Sequence, residues 1–219
     1  MHSPPSISRT LKSHSPIKFL GFTLLITFSL FIIFQMESSK VAEIKNIYSV
    51  WGIPANEVTE RLKKVMVNLR SEFGGPEFEP HVTVVGAIEL TEEDAIKKFH
   101  AACNGVKSYT VNVKEVSTGT FFYQCVYLLL HPSKEVVEAS AFSSKQFGFK
   151  SATPYMPHAS LLYGDLTDEE KQKAKAKAET FDATISDFSF PITRLALYKT
   201  DTEDKTLKSW EKIADCELV

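Results

Sequence analysis

Pro80-His81-Val82-Thr83-Val84-Val85-Gly86 returns further along the chain as Pro157-His158-Ala159-Ser160-Leu161-Leu162-Tyr163-Gly164. In both copies Pro precedes the His, a hydroxyl residue follows two positions later, apolar residues come next and Gly closes the run. Val, Thr, Leu and Tyr favour a half-buried strand, and a terminal Gly marks a turn or a close backbone approach. Residues two apart on a strand point to one side. Each copy therefore presents an imidazole and a hydroxyl on the same face. Brought opposite each other, the copies would supply two groups that exchange protons near neutral pH and two hydroxyl donors, a set suited to moving protons around a bound anion.

Working outward, the echo continues past the Gly. The first copy runs into Leu90-Thr91-Glu92-Glu93-Asp94 and the second into Leu166-Thr167-Asp168-Glu169-Glu170. Both read as helix starts, with Thr as N-cap and an acidic residue three positions on. Strand, His–hydroxyl pair, turn and capped helix thus occur twice, as an internal duplication would produce.

This pattern resembles the two-histidine (2H) phosphoesterase superfamily, and within it the plant cyclic phosphodiesterases. The resemblance is carried by both motifs and by Tyr48-Ser49-Val50-Trp51, Ser117-Thr118-Gly119-Thr120-Phe121-Phe122, Pro154-Tyr155-Met156 and Lys199-Thr200-Asp201-Thr202-Glu203-Asp204-Lys205-Thr206. It spans nearly everything from about Ile44 onward. It implies an α+β fold: two pseudo-symmetric lobes of antiparallel sheet, helices outside and a central cleft between. The activity it implies is hydrolysis of ADP-ribose 1″,2″-cyclic phosphate to the 1″-phosphate, and of nucleoside 2′,3′-cyclic phosphates to 2′-phosphates, in the aftermath of tRNA splicing. His81 and His158 become the acid–base pair, with Thr83, Ser160 and Tyr163 as phosphate-binding residues. Trp51 and Tyr123 become contacts to the nucleotide, although plain core packing explains those two equally well. The chemistry needs no metal or other cofactor. A site joining both histidines to Asp165 is a rival, as is a cleft that binds nucleotide ends without turnover.

Net charge is only −2, which argues against a long nucleic-acid partner but not against a small cyclic phosphate. A monomer is expected. Cys103, Cys125 and Cys216 are dispersed, which favours buried thiols in a reducing compartment; one disulfide with a thiol left over is the alternative. His2, His14, His100 and His131 lack the hydroxyl partner and read as surface residues.

Residues 1–43 form a separate region, Ser- and Pro-rich and basic at first, followed by the uncharged run 19–36. At about 18 residues that run is just long enough to span a membrane. A single-pass anchor and a soluble protein initiated at Met36 are both open; the family setting favours the cytoplasm. A membrane-anchored interaction protein is the reading that rests on this run alone.

Residues 44–219 then hold the enzyme domain. The expected order is a strand over 44–53, a helix over 56–73 opened by Asn56, the first motif strand, and a helix from 92 to about 104. A hairpin of strands 109–116 and 120–130 follows, then a helix over 133–147 and a loop over 148–157 that gates the site. The second motif, its helix and strands over 186–191, 193–199 and 208–217 complete about eight strands and four helices.

Overall fold

The computed structural model describes residues 43–219, of which 44–219 form one compact unit. The run 19–36 lies outside the described residues. Among those described, no helix is long and apolar enough to cross a membrane.

Seven strands and four α-helices build the unit: β1 (Lys45–Pro54), α1 (Asn56–Phe73), β2 (Val82–Thr91), α2 (Glu92–Cys103), β3 (Tyr109–Thr118), β4 (Val126–Leu130), α3 (Lys134–Phe147), β5 (His158–Leu162), α4 (Asp168–Phe181), β6 (Ser189–Lys199) and β7 (Glu211–Glu217). The duplication is visible in the order: β1-α1-β2-α2 and β4-α3-β5-α4 are the same strand–helix–motif strand–helix unit. The two motif helices start as their sequences dictate. The Thr91 side chain accepts from Asp94 N–H, and Thr167 forms a full capping box with Glu170.

All neighbouring strands are antiparallel, in the order β1-β2-β5-β4-β3-β6-β7. β1 also pairs with β6, so the first six strands close into a barrel-like ring and β7 lies outside it on β6. One join is much slighter than the rest. β2 meets β5 through the single pair Val82↔Ala159, where the two duplicated halves touch.

Alternation fills the interior. Val82, Val84, Ala159 and Leu161 are buried with Tyr48 and Val50 of β1 and with Leu62, Met66 and Leu69 of α1. The residues between them on the motif strands, Thr83 and Ser160 among them, face the other way.

Three expected elements differ. One strand, β6 over Ser189–Lys199, stands where two were expected over 186–191 and 193–199, and residues 186–188 are not strand. Pro191 does not end it, because Pro191 sits where β6 hands its pairing from β3 (at Ser189–Ile192) to β1 (at Ile192–Lys199), and its missing N–H falls at that changeover. Residues 120–125 are not strand. A 3₁₀ turn at Phe122–Gln124 interrupts the hairpin before β4 begins. Asn56 does not cap α1; Ala55 holds that position with no side-chain bond, and Asn56 Oδ1 instead accepts from Arg194.

Cys103 and Cys216 form a disulfide that ties the end of α2 to β7, with Cα atoms 6.3 Å apart across 113 residues of chain. The alternative of one disulfide and one left-over thiol therefore replaces the reading of three buried thiols, and Cys125 is the buried free one. Wide spacing in sequence misled, because the closed sheet brings distant segments side by side.

Candidate active site

Pro80 delivers the chain to His81 immediately before β2, and His158 opens β5. With Val82 paired to Ala159 in antiparallel register, the next positions outward place His81 opposite Ser160 and Thr83 opposite His158. All four side chains thus share the face turned away from the core. Directly opposed residues lie about 5 Å apart and diagonal ones about 7–8 Å. The two histidines occupy the diagonal, a gap that suits one phosphate group. The charge on His158 contributes, as a lesser cause, to lowering the pKa of His81.

Both rings are held by the same device. His81 Nδ1–H donates to Glu79 O at 2.6 Å, and His158 Nδ1–H donates to Met156 O at 3.0 Å. Each bond reaches back two residues, across the Pro of its motif. A carbonyl can only accept, so the proton of each neutral ring sits on Nδ1 and the Nε2 lone pair is left for chemistry.

The surroundings are also paired. Trp51 of β1, in register with Thr83, lies flat on His81 with ring centroids 3.7 Å apart. Tyr127 of β4, in register with Ser160, meets His158 edge-on at 5.3 Å. His81 is buried, and loss of solvation pulls its pKa down to about 4, with the Glu79 bond opposing and His158 adding to the fall. His158 is half-buried and shifts in the same direction, again mainly through desolvation.

The remaining candidates sort as follows. Thr83 is half-buried and lines a cavity of about 650 Å³ together with His158, Gln124, Phe121, Tyr155 and Met156. Ser160 donates its hydroxyl proton to Tyr123 O at 3.0 Å. In this rotamer it braces the 3₁₀ turn and has no proton to give a phosphate. Tyr163 is buried and stacked on Phe78 at 3.8 Å. Its hydroxyl lies beside Ser160, and burial raises its pKa well above the ordinary phenol value. Tyr123 donates to Thr202 O and packs against Trp210. Both faces of Trp51 are covered, one by His81 and the other by Tyr198 at 3.8 Å, so neither is open to a base. Asp165 pairs with Lys205 at 2.7 Å, away from the role of third metal ligand, and no group of three potential metal ligands occurs among the described residues.

Gln124 and Tyr127 are residues that the sequence reading missed. Gln124 Nε2 lies 3.2 Å from His158 Nε2. A lone amide inside the apolar run Phe121–Leu130 was the available signal. Tyr127 had none, because its place depends on which strand β4 pairs with.

Comparison with known proteins identifies the family and the fold. Residues 47–219 match the family described as "Cyclic phosphodiesterase-like protein". A cyclic phosphodiesterase of Arabidopsis thaliana is 54% identical over 174 residues, covering 80% of this chain and 96% of that protein. One of Triticum aestivum is 36% identical over 98 residues, covering 45% of this chain and 94% of that protein. Among solved structures, Escherichia coli LigT complexed with 3′-AMP superposes with a TM-score of 0.54 at 14% identity, covering 80% of this chain and 98% of that one. LigT complexed with ATP gives 0.52 at 15% identity, covering 81% and 99%. At that identity the likeness speaks for the fold alone. The family match and the Arabidopsis relative go further: the chain belongs to the cyclic phosphodiesterase branch of the two-histidine phosphoesterases and is an enzyme that hydrolyses a cyclic phosphate.

Proposed function

We propose that His81 and His158 carry this hydrolysis as a general acid–base pair acting across one phosphorus atom. The preferred substrates are ADP-ribose 1″,2″-cyclic phosphate, opened to the 1″-phosphate, and nucleoside 2′,3′-cyclic phosphates, opened to 2′-phosphates. The observation that carries the reading is the register Val82↔Ala159, which sets both imidazoles on one face at diagonal spacing.

In the reaction one imidazole accepts a proton from water as its oxygen attacks phosphorus. The other gives a proton to the ring oxygen as its bond to phosphorus breaks, leaving a phosphomonoester and a free hydroxyl. Nε2 is the working atom on both rings, because Nδ1 is tied to the backbone. Which ring is base and which is acid follows from how the substrate lies between them. Each such group is typically worth about a hundred- to ten-thousand-fold in rate.

Thr83 lines the cavity, and its hydroxyl donates to a non-bridging oxygen as charge builds there. Ser160 joins it by releasing Tyr123 O, and Tyr163 supports Ser160. Trp51 holds the His81 ring flat, and Tyr123 shapes the turn beside the cleft. The cavity wall of Phe121, Tyr155 and Met156 offers apolar surface for a nucleoside. LigT, of the same fold, is solved with 3′-AMP. Residues 148–157 supply part of this wall and act as its gate. The partner is a small cyclic phosphate, the working unit a monomer in the cytoplasm, and the run 19–36 an anchor only where it is retained.

The test is a panel of cyclic phosphates with the product isomer identified by phosphorus NMR. Conversion to 2′- and 1″-phosphates supports the reading. Exclusive formation of 3′-phosphates, or equal turnover by His81→Ala and the parent enzyme, sinks it.

A further inference from the structure

The two motif histidines are tethered alike at Nδ1, yet among the described residues only His158 has a hydrogen-bonding side chain at Nε2. That partner is Gln124, at 3.2 Å. The bond has a direction. His158 donates from Nδ1 to Met156 O, so in the neutral ring Nε2 can only accept, and the amide nitrogen of Gln124 must be the donor. Protonating Nε2 would set two N–H groups against each other.

Gln124 is placed firmly. Gln124 N–H donates to Phe121 O at 3.0 Å, Gly119 N–H to Cys125 O at 3.3 Å, and Gly164 N–H to Phe122 O at 3.1 Å. The Ser160 hydroxyl adds its bond to Tyr123 O. At Gly119 a side chain would put its Cβ 2.3 Å from Gln124 O, so the turn closes only with Gly there. The second motif thus fixes, through its own Ser160 and Gly164, the turn that presents an amide to its own His158.

We propose that Gln124 is a positioning residue that keeps His158 neutral in the free enzyme and transfers its N–H to a phosphate oxygen on binding, so that His158 takes up its proton only with substrate present. Resting on the acid–base reading above, this gives the two histidines unequal starting states: His81 is kept neutral by burial against Trp51, His158 by a removable hydrogen bond. The other titratable groups around His158 are Tyr127 from β4, His81 just before β2 and Tyr155 from the 148–157 loop; among the described residues no Lys, Arg, Asp or Glu lines the cavity. Desolvation lowers the pKa of His158 from its ordinary value, and a donor at Nε2 acts in the same sense.

The experiment follows the ¹⁵N shifts of His158 with pH in the free protein, for the parent, Gln124→Met and Gln124→Glu. Met keeps the volume without the donor. The His158 titration should move up by about 0.5–1 pH unit in Gln124→Met and further in Gln124→Glu. In Gln124→Met, kcat/KM should fall about tenfold, mostly through KM, from loss of one charge-assisted bond. An unchanged His158 titration in both variants overturns the proposal while leaving the acid–base reading intact. Should Gln124→Met fail to fold, the Gln124→Glu titration decides alone. Failure of the acid–base reading would show separately, as turnover that survives His158→Ala.

Discussion

The first and second motifs share a sequence pattern, a backbone tether and an aromatic neighbour, yet they are not interchangeable. In the first, His81 is sealed beneath Trp51 and Thr83 lines the cavity. In the second, His158 is more open and held by Gln124, while the Ser160 proton is already spent on Tyr123 O. One half is set by packing and the other by hydrogen bonds. Duplication supplied the frame, and divergence around it made two different proton-handling environments from one pattern.

The largest effect expected is common to both halves. His81→Ala and His158→Ala should each lower kcat by about 10²–10⁴-fold, and the double variant should lose little more than the worse single one, because the pair works as a unit. Steady-state rates with a nucleoside 2′,3′-cyclic phosphate check this. Fully additive losses would mean two independent contributions and would break the idea of a coupled pair.

The hydroxyls should separate the halves. Thr83→Ala removes the proposed donor and should cost about 10²-fold in kcat, with little change in melting temperature. Ser160→Ala leaves Tyr123 O without its partner. It should destabilise the fold by about 1 kcal/mol and slow catalysis less than Thr83→Ala does. Thermal melts beside kinetics measure both. The reverse ranking would show that Ser160, once released from Tyr123 O, is the principal donor and Thr83 the lesser one.

Acid should act on the first half more than the second. His81 has a folded-state pKa of about 4 against an ordinary 6.5. Between those values the unfolded chain binds the proton and the folded one does not. Its contribution is therefore complete above pH 6.5 and is lost as pH falls toward 4, by up to about 3 kcal/mol. Denaturant titrations across that window should show the slope, and His81→Asn should flatten it. The same displacement predicts that the alkaline limb of kcat/KM lies below pH 6.5, whereas that of kcat lies higher, because a bound phosphate anion favours imidazolium.

Much of this was legible in the sequence, and the line between read and unread is physical. Local signals carried far: the strand alternation around His81 and His158, the Thr91 and Thr167 caps, the helix periods. So did anything the duplication itself encoded. What was missed depends on who lies beside whom. Pro191 looked like a strand end because its partners were unknown, and Cys103 and Cys216 looked unrelated for the same reason. Trp51 reads equally well as a nucleotide contact or as core packing, and only the register with Thr83 shows that it lies on His81, with Tyr198 closing its other side. The Ser160 hydroxyl could be placed on the right face, but its bond to Tyr123 O could not be seen, because residues 120–125 look like strand and fold as a turn.

The aromatic neighbours give the finest comparison and the smallest effect. A stacked or edge-on aromatic contact adds about 0.5–1.5 kcal/mol beyond its buried area. Trp51→Leu removes the stack and lets water reach His81. The His81 titration should rise toward 6.5, and kcat should fall about tenfold as the ring loosens. Tyr127→Leu removes only an edge contact at 5.3 Å, while Met156 O and Gln124 still hold His158, so its titration should barely move and kcat should change less than threefold. Histidine ¹⁵N titrations on both variants read the difference directly. If Tyr127→Leu moved His158 as far as Trp51→Leu moves His81, packing would govern both rings alike, and the hydrogen bond from Gln124 would not be what distinguishes the second half.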